Sequence, residues 1–488
     1  MRHLVVVSDL HLWQATDHDD LWMRYRHRRF LPDAQFASLV DLLEQQVPNG
    51  ELALVLNGDI FDFDLPPVVD GHPVAERSPR TESLAVARLT TILKDHALFV
   101  AALAKLLRRQ QRVVFIAGNH DLQLNFAAVR ALLIDTILDS CAAADPAIDR
   151  AEFASRIEFH AWFYRSAHGV HVEHGNQYDP YCSVSDPEWP FHIDRSLQNN
   201  VGTLVLEHLI GKLGYFNPNV DSTFLLTTKE YLEHWLRYYW RSPRSLLRTF
   251  FVGTLRIFFE SMSELGLHGH SPRAPELQAP DTAAHASLFT TPDLRATMRL
   301  LGLDRMLLLL GMLMSLLLLL LYWPLGVVGA LLTRWVYQFL DPGRACDVAT
   351  VSTEVSKKAR RIAVIYGARA VVFGHTHLSE GRWESGVFYG NSGTWVPMYQ
   401  DIACSIVVEE SRPVIWLREN QGQLEGGLYR FHNEQLHLAT AQPSRPQQFQ
   451  RSTSRRKNRG GKASPAAAGG LLSSSPPRVC LADSQPSA

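Results

Sequence analysis

The stretch Val113-Val114-Phe115-Ile116-Ala117-Gly118-Asn119-His120-Asp121 places an apolar run directly before a short polar motif. A short apolar run that ends at glycine is typical of a buried strand. Four other segments repeat this arrangement, and their polar ends are Asp9-x-His11, Gly58-Asp59, His174-Gly175 and Gly374-His375-Thr376-His377. The repetition predicts buried strands whose carboxyl ends carry these polar groups, at the edge where α/β sheets bind ligands.

Helical patterns lie between the first three of these predicted strands. Apolar residues recur at helical spacing between residues 36 and 43 and between residues 98 and 107. Spacing of this kind predicts amphipathic helices that pack on a sheet. Strands that alternate with helices predict an α/β sandwich.

The five motifs together offer carboxylate, amide and imidazole donors for two divalent cations. A lone Asp-x-His or Gly-Asp pair is more often a turn, and a lone histidine is more often a core residue, so the ordered set carries the prediction. Two cations about 3.5–4 Å apart acidify a bridging water and clamp a transferring phosphoryl group. Asp59 is suited to bridge both. Asp9 and His11 would bind one cation with one histidine of the last motif. Asn119 and His174 would bind the other with its second histidine.

The motif around residues 118–121 also offers groups for proton transfer. His120 is positioned to protonate a leaving oxygen, and Asp121 is expected to orient its ring. Mixed nitrogen and oxygen donors favour manganese, iron, zinc or cobalt over calcium, with manganese as the leading choice. Histidines outside the motifs, such as His171, are expected to be structural.

The motif set resembles that of the calcineurin-like metallophosphoesterase superfamily over residues 1–182 and 346–415. The resemblance implies a β-sandwich flanked by helices, a dinuclear centre and hydrolysis of a phosphoric ester or diphosphate. Residues 391–395 also resemble a strand end that follows the last motif in this superfamily. The resemblance assigns the site residues as follows: one metal ion on Asp9, His11, Asp59 and His377, the other on Asp59, Asn119, His174 and His375, and His120 as the catalytic histidine.

The spacing of the motifs predicts an insertion. Asp9, Asp59, Asn119 and His174 follow one another at steps of 50, 60 and 55 residues, whereas His174 and His375 are 201 residues apart. We therefore expect a first catalytic part (1–185), a helical insertion (186–345), a second catalytic part (346–440) and a tail (441–488). The tail is rich in glycine, serine and proline with a basic run at 451–462, a composition typical of disorder.

One segment of the insertion is strongly apolar. Residues 306–333 carry no charge, and eleven of the fifteen residues 307–321 are leucine. About 20 apolar residues can span a bilayer, but both flanks must reach one metal centre, and Pro324 and Gly326 interrupt the run. We expect a hairpin, about residues 306–339, that enters one leaflet; a buried cap or dimer interface is the alternative. Aromatic and arginine-rich sequence at 235–262 is expected to lie on the membrane surface.

Cysteine content, the position of the first strand and the net charge indicate where the protein is located and which partners it has. Five scattered cysteines without CxxC pairs predict a reducing compartment. The first strand follows Met1 so closely that no signal peptide is expected. We therefore expect a peripheral or monotopic protein on the cytoplasmic side of the membrane. The net charge of −1 makes a nucleic-acid partner unlikely on composition.

Together, these features resemble the UDP-2,3-diacylglucosamine pyrophosphate hydrolases within the superfamily. That resemblance implies a lipid-linked or nucleotide-linked phosphate as substrate. Two alternatives share the fold, namely a metal-dependent nuclease and a non-enzymatic scaffold. The nuclease would need a basic channel, and the scaffold would be marked by lost ligands, whereas every motif position is filled.

Overall fold

The computed structural model describes residues 2–74, 76–211, 236, 243–267, 280–290, 297, 303–340, 348–399, 401, 403–405, 407–409 and 412–439. The chain divides into two compact units, Met1–Pro443 and Ser444–Ala488, and the described residues belong to the first. The predicted tail therefore lies outside the described residues, and so does most of the aromatic segment between residues 235 and 242.

The strands form two main sheets and two short ribbons. In chain order they are β1 (His3–Val7), β2 (Leu52–Asn57), β3 (Val68–Val69), β4 (His72–Pro73), β5 (Arg112–Ile116), β6 (Ile157–His160), β7 (Phe163–Arg165), β8 (Val170–Glu173), β9 (Ala370–Phe373), β10 (Glu380–Glu384), β11 (Val387–Asn391), β12 (Met398–Tyr399), β13 (Val407–Glu409), β14 (Arg412–Asn420), β15 (Gln423–His432) and β16 (Gln435–Leu438). One sheet has the order β16-β15-β14-β1-β2-β5-β6 and the other has the order β10-β11-β9-β8-β7. The five strands predicted before the motifs are confirmed as β1, β2, β5, β8 and β9.

The helices include a layer on the outer face of each sheet. They are α1 (Asp33–Gln46), α2 (Glu82–Asp95), α3 (Ala97–Arg108), α4 (Ala127–Ala144), α5 (Arg150–Ala154), α6 (Val201–Val205), α7 (Pro243–Leu267), α8 (Pro280–Ala286), α9 (Leu303–Leu321), α10 (Trp323–Leu340) and α11 (Val348–Tyr366). Short 3-10 helices lie at Arg24–Arg26, Arg28–Phe30, Leu122–Asn125 and Asn176–Tyr178, and a π-helical turn lies at Leu206–Ile210. The predicted helices near residues 36–43 and 98–107 are confirmed as α1 and α3.

The alternation of side chains along β1 explains the layered packing. Val5 and Val7 face the cluster formed with α1, α3 and α4, whereas Leu4 and Val6 face the second sheet. Successive residues of a strand point to opposite faces, so a strand that is apolar at every position is buried on both sides. Helix α11 covers the outer face of the second sheet through Ile362 and its neighbours. The catalytic part is thus a two-sheet sandwich between helical layers.

The long segment between β8 and β9 begins with loops at residues 179–200, and its described part after residue 200 is mainly helical. It contains α6 to α11, although β8 and β9 are themselves parallel neighbours with Val170 opposite Ala370. Helices α9 and α10 are joined at Tyr322 and pack against each other as a hairpin. Among the described residues, no helix combines the length and hydropathy needed to cross a membrane. The exact limits of the insertion stay a prediction.

Candidate metal centre

The first group of predicted ligands lies at the end of β1 and after β9. His377 Nε2 is 3.2 Å from Asp9 Oδ1 and 3.3 Å from His11 Nε2. His11 Nε2 is 3.9 Å from Asp9 Oδ1. Three donors from loops more than 360 residues apart in sequence therefore converge on one point.

The second group gathers at the ends of β2, β5 and β8. His174 Nε2 is 3.1 Å from Asp59 Oδ2 and 3.3 Å from Asn119 Oδ1. His375 lies close enough to Asp59 and His174 to share a cation with them. Asp59 Oδ2 is also 3.9 Å from His11 Nε2, so this carboxylate lies between the two groups. All seven predicted donors meet at one edge of the sandwich.

The chemistry of these donors fits divalent cations. Asp9 Oδ1 is fully buried without a hydrogen bond and faces two imidazole nitrogens. His174 Nδ1 lies 2.9 Å from the Asn57 carbonyl oxygen, to which it can donate, and this directs Nε2 into the centre. Second partners of this kind fix the tautomer of metal-binding histidines. A cation bound here would give Asp9 Oδ1 and the facing imidazole nitrogens of His11 and His377 a common partner.

The backbone of the centre is held in an uncommon conformation. Asp9, His11, Asp59, His375 and His377 all have positive φ, between 44° and 67°. Non-glycine residues rarely adopt this left-handed region, and such residues cluster at functional sites. Five of the seven candidate ligands therefore depend on the surrounding fold for their geometry.

Two glycines explain why the motifs contain glycine before a ligand. A Cβ on Gly374 would lie 2.7 Å from Ser8 Oγ and 2.8 Å from Asp9 Oδ2. A Cβ on Gly118 would overlap the Asp59 carboxylate. Glycine permits a close approach of backbone to a ligand here, so these positions set how tightly the loops converge.

His120 lies beside the centre, and the structure surrounds it with carboxylates that the motifs did not include. Its Nδ1 is 3.5 Å from Asp62 Oδ1 and 3.4 Å from Asp64 Oδ2. The other oxygen of Asp62 is 3.5 Å from His11 Nδ1. Asp62 thus contacts both a candidate ligand and the candidate catalytic residue. The only sequence signal was a pair of acidic residues shortly after Asp59.

Asp121 occupies a different place from the one predicted for it. Its carboxylate accepts from the backbone N–H of Gly118 at 2.6 Å and of Ile60 at 2.8 Å. It also faces the N–H of Asp59 at 3.3 Å. These bonds join the β2 and β5 loops. The carboxylates that contact the His120 ring are those of Asp62 and Asp64, and the ring of His11 packs edge-on against it.

Asp179 is a further acidic neighbour that sequence reasoning did not find. Its Oδ2 is 3.0 Å from His375 Nε2. Together with Cys182 and His375 it forms another group of potential ligand atoms. Asp179 follows a 3-10 turn rather than a strand end, and no pattern in the sequence marked it.

The charges of the centre influence one another strongly. Burial alone would lower the pKa of His174, but the Asp59 carboxylate raises it to about 9. Burial likewise opposes the charged form of His120, yet Asp59 and Asp62 raise its pKa well above the usual value. Burial lowers the pKa of His11 despite its contact with Asp62. An excess of carboxylates thus attracts positive charge to this site.

Residues 391–395 brace the first and last motifs. Asn391 Nδ2 donates to the Gly374 carbonyl oxygen at 2.7 Å. The Thr394 hydroxyl donates to the Asp9 carbonyl oxygen at 3.0 Å, and the backbone N–H of Trp395 donates to the same oxygen at 3.1 Å. This segment holds the two loops of the first ligand group together.

The comparison with known families agrees with the geometry. Residues 2–228 match the model of the calcineurin-like phosphoesterases. This segment is therefore similar to the calcineurin-like phosphoesterases. No curated protein matches the chain. The matched residues include the first four motifs, and the fold brings the fifth, at residues 374–377, to the same centre. The family and the ligand groups support a metal-dependent phosphoesterase.

Proposed function

We propose that the protein hydrolyses a phosphoric ester or diphosphate at a centre of two divalent cations. The observation that carries this proposal is the position of Asp59 Oδ2, 3.1 Å from His174 Nε2 and 3.9 Å from His11 Nε2. One cation would rest on Asp9, His11, Asp59 and His377; the other on Asp59, Asn119, His174 and His375. Manganese is the first choice, with iron, zinc and cobalt as alternatives.

The residues around the centre suit phosphoryl transfer. Bound cations would acidify a water and neutralise charge on the phosphoryl oxygens. Asp62 and Asp64 contact Nδ1 of His120 and so hold its ring. Its Nε2 is then free to give a proton to the leaving oxygen. Asp121 supports the site by fixing the two loops that carry Asp59 and Asn119.

Replacement of the shared carboxylate tests the proposal. Asp59→Asn keeps the shape and suits the positive φ of 52°, because asparagine tolerates that region. Asp70→Asn is the matched control, since Asp70 is exposed and has a φ of 50°. We expect Asp59→Asn to lose both manganese and hydrolysis of an aryl phosphodiester, and Asp70→Asn to keep both. Full activity in Asp59→Asn would refute the shared-ligand assignment.

We further propose that the α9–α10 hairpin inserts into one leaflet of a membrane. Its small and polar residues face inward, where Ser315 Oγ lies 3.5 Å from Thr333 Oγ1 and Gly329 lies against Ser315. Leucines face outward, and Leu320 is 77% exposed. Helices that associate in lipid pack through small and hydroxyl residues in this way. An apolar surface of this extent is a membrane or protein contact.

The tip of the hairpin is the part expected to enter the lipid. Leu321, Tyr322 and Trp323 are exposed there. Both ends of the insertion return to adjacent strands, so the hairpin can enter only from the side that holds the catalytic part. We propose the cytoplasmic side, where Cys141, Cys182 and Cys404, which form no disulfide, would stay reduced. A lipid-linked or nucleotide-linked phosphate is the proposed substrate class.

Flotation with phospholipid vesicles tests the hairpin. We expect the full chain to float and the double variant Leu320→Glu/Leu321→Glu to remain at the bottom of the gradient. Val364→Glu is the control, because Val364 is 83% exposed on α11 but lies outside the hairpin. Equal flotation of the double variant would refute insertion.

A panel of lipid-linked, nucleotide and simple aryl phosphates then identifies the substrate. No described observation favours a nuclease, and the basic run at 451–462 lies outside the described residues.

A further inference from the structure

A second group of potential ligands is buried behind β8, apart from the centre described above. His171, Glu173 and His285 bring two imidazoles and a carboxylate within 4.8 Å of one another. All three side chains are at most 1% exposed. His171 and Glu173 project from the same face of β8 because they are two residues apart in a strand. His285 comes from α8.

The distances from the Glu173 oxygens to the two imidazole nitrogens match those between neighbouring ligands of a tetrahedral metal ion. Glu173 Oε1 is 3.6 Å from His171 Nε2, and Glu173 Oε2 is 3.4 Å from His285 Nε2. With metal–ligand distances of roughly 2.0–2.2 Å, neighbouring ligand atoms of a tetrahedral site lie about 3.3–3.6 Å apart. Each imidazole therefore lies at that spacing from one oxygen of Glu173, and the three side chains lie within 4.8 Å of one another.

His171 supplies an independent reason to expect a ligand. It is fully buried, yet neither of its ring nitrogens makes a hydrogen bond. Its flat faces pack on Phe163 and Tyr366, so a phenylalanine would serve as well for packing alone. Buried polar groups without partners are costly and call for an explanation.

The surrounding groups can orient these donors. His285 Nδ1 is 3.2 Å from the Tyr366 hydroxyl, which can accept its N–H and leave Nε2 to bind a metal. Glu173 accepts from Trp162 Nε1 at 3.1 Å and from the Tyr178 hydroxyl at 2.8 Å. The Tyr178 hydroxyl is also 2.7 Å from His285 Nε2, and this contact would be exchanged for the metal bond. Tyr178 would remain bonded to Glu173.

We propose that His171, Glu173 and His285 form a structural zinc site that ties helix α8 to strand β8. Two imidazoles and a carboxylate are a donor set that zinc prefers, with water or Tyr178 completing four-coordination. The site joins a helix of the predicted insertion to the strand that directly precedes His174. It is separate from the catalytic centre and does not depend on the proposed reaction.

Zinc content measures this site directly. The full chain is loaded with zinc, freed of excess metal by gel filtration, and analysed for zinc and protein. We expect His171→Phe, which keeps the ring stacking, and His285→Phe each to contain one zinc per chain fewer than the parent. His160→Phe is the control, because His160 also packs on an aromatic ring but lies outside the group. Zinc content equal to the parent in His171→Phe, or an equal loss in His160→Phe, would overturn the proposal.

A stability measurement separates this site from the catalytic one. The parent, Asp59→Asn and His171→Phe are melted with and without zinc. Zinc is expected to raise the Tm of the parent and of Asp59→Asn by more than that of His171→Phe, in which zinc can bind only at the catalytic centre. If His285→Phe does not fold, His171→Phe alone carries both measurements. Failure of the catalytic proposal would appear as activity in Asp59→Asn, whereas failure of this one would appear as an unchanged zinc content.

Discussion

Replacing Gly118 with alanine tests how closely the β5 loop must approach the shared carboxylate. A Cβ at this position would lie 2.2 Å from Asp59 Oδ1, 2.5 Å from the backbone nitrogen of Asp59 and 2.9 Å from Asp59 Cγ. Carbon atoms prefer separations of about 3.5–4.0 Å, so the Cγ contact alone requires Asp59 to move by roughly 0.6–1.1 Å. A misplacement of about 1 Å in a catalytic constellation can cost on the order of 100-fold in rate. We therefore expect Gly118→Ala to lower kcat/KM about 100-fold.

The assay is hydrolysis of an aryl phosphodiester by the full chain across a manganese titration. Gly386→Ala is a suitable control, because a Cβ there has open space although its φ is +82°. That variant should lose about 1–2 kcal/mol of stability from the left-handed backbone and keep its activity. The reasoning fails if Gly118→Ala matches the parent in both kcat/KM and manganese affinity. The Asp59 carboxylate would then tolerate a Cβ at residue 118 without a functional displacement.

Three further changes probe separate parts of the site. His120→Gln should lower kcat by about 10²–10⁴-fold at unchanged metal content, whereas the exposed His432→Gln should not; loss of metal in His120→Gln would contradict its assigned role. Asp62→Asn should weaken metal binding about 10–100-fold through His11, and a metal titration that superimposes on the parent would show that the contact is incidental. Trp395→Ala should destabilise the chain by about 3–5 kcal/mol, as for other buried aromatic truncations, because Trp395 is fully buried and bonded to the Pro413 carbonyl oxygen. A change in the thermal midpoint too small to measure would refute that estimate.

The strands and the ligand groups were predictable because they depend on local sequence. An apolar run followed by a polar turn fixes both the strand and the edge where its polar end lies. Once β1, β2 and β5 pair in one sheet and β8 and β9 pair in the other, the polar ends of these strands meet at one edge of the sandwich. The sequence could not reveal Asp62, Asp64 or Asp179 as neighbours of the candidate histidines, since those contacts arise from loop geometry. Adjacency to His120 suggested an orienting role for Asp121, but its carboxylate is taken up by backbone amides.

His171 illustrates a similar limit. Alone in the sequence it looked structural, and its partner His285 lies 114 residues away in a helix of the insertion. Only the folded chain shows that both rings face Glu173. The pairing depends on where the insertion folds back, which no local pattern encodes.

The position of this cluster has a consequence for the catalytic centre. The chain leaves the centre at His174 and returns to it at His375, so the insertion begins and ends at the same group of ligands. Glu173 directly precedes His174, and its side chain is bonded to Trp162 and Tyr178. A cation between β8 and α8 would therefore fix Glu173 and so restrain the backbone of His174. The ring of His174 is restrained separately, by the hydrogen bond between its Nδ1 and the Asn57 carbonyl oxygen. The proposed zinc site would therefore couple the position of α8 to that of His174 through β8.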